Sequence, residues 1–96
     1  MAIRLIISLT AAPGRGAEVL DIFRQRCAEV LTEPGCEQFE VFHSGLDPDR
    51  LTLLELWSDQ AALDAHAAVN AARAPLPAGL FAGLSEREDY VYNRTR

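Results

Sequence analysis

The periodicity of apolar residues changes along this chain in a fixed order, and that order restricts the folds available to it. Four segments are predicted strands. Residues 3–10 and 36–44 alternate with period two, residues 51–57 resume after a turn, and residues 84–94 carry the β-formers Tyr90, Val91 and Tyr92. Residues 16–33 and the segment from Ser58 to about Arg73 repeat instead every three or four positions, as amphipathic helices do. The sequence therefore predicts the element order β-α-β-β-α-β.

Residues with strong conformational preferences mark the ends of both helices. Pro34 disfavours helical geometry at Glu33, and Gly35 can adopt a left-handed conformation, so we expect the first helix to end at Glu33. Ser58 directly follows the third strand and is a good N-cap, with Asp59 near the positive end of the next helix dipole. The second helix should therefore start at this point.

This element order is that of ferredoxin-like α+β folds, in which both helices cover one face of a four-stranded antiparallel sheet. A chain of 96 residues fits one such domain, spanning residues 1–96. The other sheet face should meet water, yet Ile6, Leu54 and Leu56 make it apolar. The simplest way to cover this apolar face is with the same face of a second copy of the chain, so we expect a homodimer.

Composition and charge exclude several classes of function. A net charge of −5 argues against a nucleic-acid-binding surface, which needs clustered basic residues. No segment approaches the roughly 20 apolar residues that span a membrane. The apolar run Leu5–Ile7 is too short for a signal peptide, so we expect a cytoplasmic protein. In that compartment Cys27 and Cys36 should be free thiols, and no ligand cluster predicts a metal site.

An acidic residue and a tryptophan share one face of the third strand. Strand parity places Leu53, Glu55 and Trp57 on the same side of an otherwise apolar segment. Trp57 could be a core anchor, with Glu55 paired to an arginine or a backbone group. The alternative is that both residues belong to a pocket.

The second helix carries a polar stripe formed by Leu63, His66, Asn70 and Arg73. The stripe could be the solvated face, but the presence of Leu63 indicates that it turns partly inward. His66 lies about 10 Å along the helix, where it could share a cavity with Trp57. Histidine titrates nearest to neutral pH and is the natural general base, although a structural, hydrogen-bonded histidine is the alternative interpretation.

Three further side chains are less specific candidates. His43 lies near the end of a strand, next to a turn, and should be exposed. Tyr90 and Tyr92 project from the same side of the last strand. The tyrosines could line a pocket or contribute to an interface.

Several short motifs resemble those of the antibiotic biosynthesis monooxygenase (ABM) family. They are Pro34-Gly35-Cys36, Phe39-Glu40-Val41, Asp47-Pro48, Glu55-Leu56-Trp57-Ser58-Asp59 and Ala62-Leu63-Asp64-Ala65-His66. The most specific is E-x-W at residues 55–57, followed nine residues later by His66. The resemblance covers nearly the whole chain. It implies a ferredoxin-like protomer and a homodimer whose sheets face each other to form an α/β barrel.

Differences from individual branches of the family narrow the implied activity. The haem-degrading branch has an asparagine where this chain has Ile7, and its histidine lies further along the second helix than His66. The polyketide oxygenases have an asparagine where this chain has Leu53. The E-x-W motif with the helix histidine is most similar to the quinol monooxygenases.

The resemblance therefore implies oxidation of an electron-rich hydroxylated aromatic or quinol by O2, with neither metal nor organic cofactor. His66 would remove a proton, and Trp57 and Phe39 would stack against the ring. The implied substrate-binding residues also include Glu55, Asn70, Arg73 and Tyr92. Two alternatives stay open: a non-catalytic dimeric module that binds a small apolar metabolite, and an isomerase or cyclase that acts on a carbonyl compound.

Overall fold

The computed structural model describes residues 1–96 and has the predicted element order. Its strands and helices are β1 (Ile3–Thr10), α1 (Gly16–Val30), β2 (Cys36–His43), β3 (Arg50–Trp57), α2 (Gln60–Ala71) and β4 (Glu86–Val91). The strands form one sheet in the order β2-β3-β1-β4, and every neighbouring pair is antiparallel. The predicted ferredoxin-like βαββαβ fold is therefore confirmed.

Strand alternation places the hydrophobic core between the sheet and the two helices. On β3, every second residue from Leu51 to Trp57 is buried, and Leu5 and Leu9 of β1 lie on the same face. Val19 and Phe23 of α1 close this core from the helix side. The core extends beyond the regular elements, because Leu80, between α2 and β4, is 1% exposed.

The opposite face of the sheet has no covering element within the chain. Ile6, Leu54 and Leu56 lie there and are only partly buried. Phe42 and Tyr90 are 44% and 51% exposed on that side.

Neither helix has the length and apolar character needed to cross a bilayer.

The expectation that α1 continues to Glu33 is wrong, because the helix ends at Val30. Residues 31–33 instead form tight turns, in which the amides of Thr32 and Glu33 donate to carbonyls three residues earlier. Helical geometry at Glu33 would clash with Pro34, which explains why the chain leaves the helix early. Glu33 is thereby placed on a turn that faces α2.

Two other boundaries also differ from expectation. The N-cap of α2 is Asp59, not Ser58, and its carboxylate accepts a hydrogen bond from the amide of Ala62 at 2.8 Å. The last strand covers Glu86–Val91 rather than residues 84–94, because the pairing with β1 begins at Ser8 and Glu86. An apolar pattern alone does not show where a partner strand stops.

The turn before β2 packs directly against the start of α2. Gly35 has a φ of 80°, and its carbonyl accepts a hydrogen bond from the amide of Ser58 at 2.8 Å. A Cβ at this position would lie 2.5 Å from the Cβ of Ala62. Glycine therefore lets the end of the α1–β2 connection approach the β3–α2 corner, which places Glu33 close to α2.

The capping difference predicts unequal effects of two neighbouring substitutions. Asp59→Ala should lower the free energy of unfolding by about 1 kcal/mol, because an amide at the helix start loses its acceptor. Ser58→Ala should have a smaller effect. Urea unfolding followed by the fluorescence of the single tryptophan measures both. A larger loss for Ser58→Ala would contradict the assignment of the cap.

Candidate functional site

A cavity of about 730 Å³ lies between the sheet and the helices. β1, β3 and both helices contribute to its wall, and the segment between α2 and β4 closes one side with Leu76 and Phe81. Twelve of its 22 lining residues are hydrophobic, and nine others carry polar or charged side chains. This volume and lining are typical of small-molecule sites.

The structure brings four of the seven predicted site residues to the cavity wall. These are Phe39, Glu55, His66 and Asn70. The other three, Trp57, Arg73 and Tyr92, do not line it. The helix-facing side of the sheet is therefore the one that lines the cavity.

Trp57 lies behind the cavity wall rather than on it. Its side chain has no exposed surface, and its ring stacks on that of His66 with a centroid distance of 4.6 Å. Its Nε1 donates a hydrogen bond of 2.9 Å to Oε1 of Glu55. The expectation that Trp57 stacks against a substrate thus differs from the observed geometry, in which it supports two residues that do reach the cavity.

Arg73 and Tyr92 are engaged elsewhere. The Arg73 guanidinium lies 3.1 Å from Glu33 and 3.7 Å from Glu29, in a cluster that joins the two helices. Tyr92 follows β4, and its ring lies 5.1 Å from the guanidinium of Arg4, which is on the uncovered sheet face. Strand parity explains this position, because residue 92 shares the side of Tyr90 and not that of the helices.

His66 is held by a carboxylate that the sequence patterns did not single out. Its Nδ1 lies 2.9 Å from Oε1 of Glu33, and the other oxygen of Glu33 accepts from Arg73 at 3.1 Å. A carboxylate paired with arginine accepts, so Nδ1 carries the hydrogen, and in the neutral ring Nε2 then has the free lone pair. The sequence patterns do not identify Glu33 as a site residue because they place Glu33 at the end of α1. Pro34 could have indicated that the helix stops earlier and that Glu33 lies on a turn.

The free nitrogen of His66 reaches the cavity. Nε2 makes no hydrogen bond within the chain. Every buried side-chain nitrogen or oxygen atom does have a hydrogen-bond partner, so an atom without one is not buried. The atom must therefore be accessible, and the cavity is where the side chain meets open space. The remaining contacts of the ring are with Trp57 and, at a centroid distance of 5.8 Å, with Phe39. His66 thus presents a basic lone pair in a mostly apolar cavity.

Glu55 is the second titratable group in this part of the wall. It is 2% exposed, and burial raises the pKa of its carboxyl above the ordinary value. The hydrogen bond from Trp57 and the electrostatic interactions with His66 and Arg87 oppose that shift without cancelling it. Glu55 therefore keeps its proton to higher pH than an exposed glutamate, and the cavity wall carries this carboxyl group together with the His66 imidazole.

The cysteines are free thiols of low reactivity. Burial, reinforced by the negative charges of Glu33 and Glu55, raises the pKa of Cys36 to about 11. Burial also raises the pKa of Cys27. A thiol must ionise to act as a nucleophile, so neither residue is suited to that role. The structure contains no group of three or more histidine, cysteine or acidic residues that could hold a metal ion.

The family model of antibiotic biosynthesis monooxygenase matches residues 2–74. The chain belongs to this family. The match covers β1 to the end of α2 and so includes Glu33, Glu55, Trp57 and His66. No curated protein sequence matches the chain.

Solved structures of the same fold cover nearly the whole chain. PA3566 from Pseudomonas aeruginosa is 24% identical, with a TM-score of 0.81 over 97% of this chain and 95% of that one. SO0527 from Shewanella oneidensis is 23% identical, with a TM-score of 0.80 over 93% and 88%. A point mutant of SnoaB, a cofactor-independent oxygenase from Streptomyces nogalater, is 18% identical, with a TM-score of 0.76 over 98% and 95%. At these identities the likeness establishes the fold.

Burial of Glu55 predicts a specific dependence of stability on pH. Since the pKa of Glu55 is raised on folding, the folded state holds its proton more tightly than the unfolded chain does. The resulting stability is complete below the unfolded pKa, near 4.5, and is lost as pH rises through the folded pKa. Glu55→Gln removes this titration and can still accept from Trp57.

The free energy of unfolding of the wild type should therefore fall relative to that of Glu55→Gln as the pH is raised from about 4 to about 8. Urea unfolding at several pH values measures the difference. Glu40→Gln, on the exposed part of β2, is the control and should show no such fall. A difference that grows in favour of the wild type with rising pH would refute the assignment of a raised pKa.

Proposed function

We propose that this protein is a cofactor-independent monooxygenase that oxidises an electron-rich hydroxylated aromatic or quinol with O2. The observation that carries the proposal is the Glu33–His66 pair, whose free Nε2 faces a largely apolar cavity. Membership of the family supports an oxygenase. SnoaB, of the same fold, is a cofactor-independent oxygenase.

The chemistry needs a base because O2 reacts slowly with closed-shell molecules. Nε2 of His66 removes the proton of a substrate hydroxyl, and the resulting phenolate transfers one electron to O2. The phenoxyl radical and superoxide then combine at a ring carbon that still carries hydrogen. The protonated His66 returns its proton to the peroxide and forms a hydroperoxide.

Loss of the remaining hydrogen from that carbon as a proton breaks the O–O bond. A carbonyl forms at the carbon, and the departing hydroxide combines with the released proton to give water. One oxygen atom of O2 enters the product and the other leaves as water. The substrate supplies all the electrons, so the reaction balances without a further reductant.

The cavity contributes orientation and exclusion of water. Phe39 and the leucines of the wall offer apolar contacts to an aromatic ring, next to the nitrogen that takes the proton. Glu33 accepts the hydrogen of Nδ1 and so favours the tautomer of His66 in which Nε2 is free. Trp57 holds the imidazole in place from behind. Glu55 lies where it could donate a hydrogen bond to a developing carbonyl.

Substitution of His66 should separate this function from a structural role. His66→Ala should reduce substrate-dependent O2 consumption roughly 10²- to 10⁴-fold, because the base is lost. An oxygen electrode and a panel of quinols and anthrones measure it. His43→Ala, which removes the other, exposed histidine, is the control and should retain activity.

Glu33→Gln should lower kcat more than it changes KM, since Glu33 contacts the base and not the substrate. Circular dichroism and the unfolding midpoint show whether each variant is folded. Full O2 consumption by a folded His66→Ala variant with an active substrate would refute the role of His66 as base.

The proximity of an acid and a base also supports isomerase or cyclase chemistry on a carbonyl compound. Glu55 is protonated to higher pH than usual and could donate to a carbonyl oxygen, while His66 removes a proton from the neighbouring carbon. Such a reaction consumes no O2, so product formation in its absence would identify it. Ligand binding without turnover would indicate a binding module instead.

We further infer that the chain acts as a homodimer that pairs its uncovered sheet faces in a barrel. The apolar residues Ile6, Leu54 and Leu56 support this assembly, because no element of the same chain covers them. An exposed apolar patch of this kind is typical of an interface. A second copy presents the same patch, so the two patches can pair with each other about a two-fold axis.

Leu54→Arg should convert the dimer to a monomer, because the interface would have to bury an unpaired charge at its centre. Light scattering coupled to size-exclusion chromatography measures the mass. Leu46→Arg is the matched control, since Leu46 is 99% exposed in the turn between β2 and β3 and lies off this face. A wild-type protein that is monomeric at micromolar concentration would refute the assembly.

A further inference from the structure

Arg26 is a cavity-lining cation without an anionic partner. It lies on α1, is partly buried, and forms no ion pair within the chain; its Nη1 donates to Oδ1 of Asn70 at 3.2 Å. The other arginine of the cavity wall, Arg87, is instead paired with Asp89 at 2.7 Å. The positive charge of Arg26 is therefore available to a ligand.

Asn70 adds a second donor beside Arg26. Its Oδ1 accepts from Arg26 and also, at 3.4 Å, from Arg73. Guanidinium groups only donate, so the oxygen of the amide must face them and the NH2 group must point elsewhere. This NH2 group has no partner within the chain, and Asn70 lines the cavity. Arg26 and Asn70 thus present donors and no free acceptor.

The position of these donors relative to His66 matches the dimensions of an aromatic substrate. Asn70 follows His66 by one helical turn, which separates their Cβ atoms by about 6 Å on the same face of α2. Since Arg26 contacts Asn70, a ring with a hydroxyl at Nε2 of His66 can extend along the cavity wall toward Arg26. Of the acidic residues in this part of the molecule, Glu29 and Glu33 are paired with Arg73, and Asp64 lies about 9 Å along the axis from Asn70.

We propose that Arg26 and Asn70 bind an anionic substituent of the substrate, so that the preferred substrates are hydroxylated aromatics bearing a carboxylate. A guanidinium binds a carboxylate through two parallel, charge-assisted hydrogen bonds, which an amide or ester cannot reproduce. This inference rests on the proposed function for the reaction at His66, whereas the preference for an anion is a property of binding alone.

Binding of an unreactive aromatic tests the anion site without any oxidation. Anthraquinone-2-carboxylate and anthraquinone-2-carboxamide have the same size and differ in charge. By isothermal titration calorimetry the wild type should bind the carboxylate roughly tenfold to a hundredfold more tightly. Arg26→Gln should remove most of this preference. Arg24→Gln, on the same helix but exposed and paired with Asp21, should keep it.

Equal affinity of the wild type for the two ligands would overturn the proposal, and so would an equal effect of the Arg24 and Arg26 substitutions. O2 consumption with carboxylated and neutral quinols separates this outcome from failure of the proposed function. If the reaction assignment fails, neither quinol drives O2 uptake while the binding preference persists. If the anion site fails, uptake is the same for both quinols and Arg26→Gln does not change their ratio.

Discussion

The carboxylate of Glu33 contacts both His66 and Arg73, and the rest of the candidate site depends on these two contacts. One oxygen meets Nδ1 of His66 at 2.9 Å and the other meets Arg73 at 3.1 Å, so a turn after α1 is tied both to α2 and to the residues just beyond its end. The side chains of Glu33, His66 and Arg73 are all at least four-fifths buried. Removing one partner from such a cluster costs about 3–5 kcal/mol, because the others remain desolvated. The cluster therefore sets the spacing of the two helices above the cavity.

A second constraint acts on the opposite side of the imidazole. Trp57 has no exposed surface and stacks on His66, so the ring can neither tilt toward the sheet nor leave its carboxylate. Phe39 contacts it from a third direction. With Nδ1 engaged, Nε2 is the one polar atom of the ring that a ligand can reach. Such support of a reactive group by packing and hydrogen bonds is what keeps a site in productive geometry.

Charge in this region is kept low by burial. Glu55 hydrogen-bonds to Trp57 and has a raised pKa, and Cys36, beside Glu33 and Glu55, has a pKa of about 11 and stays a neutral thiol. Glu33 is thus the carboxylate whose charge is directly compensated by cationic and polar partners. Glu33 therefore supplies a compensated negative charge beside the base from which the proposed reaction begins.

Local patterns in the sequence predict the fold and four of the residues that line the cavity. The periodicities predict the order of the elements and the bounds of β1, Ile3–Thr10, because side-chain alternation reflects which face is buried. Strand parity and helical spacing also place Glu55 and His66 toward one interior. Trp57 and Glu55 share a face as predicted, and their contact follows from it.

The positions of the other candidate residues depend on contacts between residues far apart in the chain. Periodicity does not predict such contacts. Glu33 reaches His66 because α1 stops at Val30 and Gly35 packs closely against α2, and Arg73 turns to Glu33 instead of the cavity. The position of Trp57 behind the wall is likewise decided by how α2 lies on the sheet. A residue's spacing within its own element predicts which way it faces. Which partner it meets there is decided by the packing of elements against one another, because that partner comes from another part of the chain.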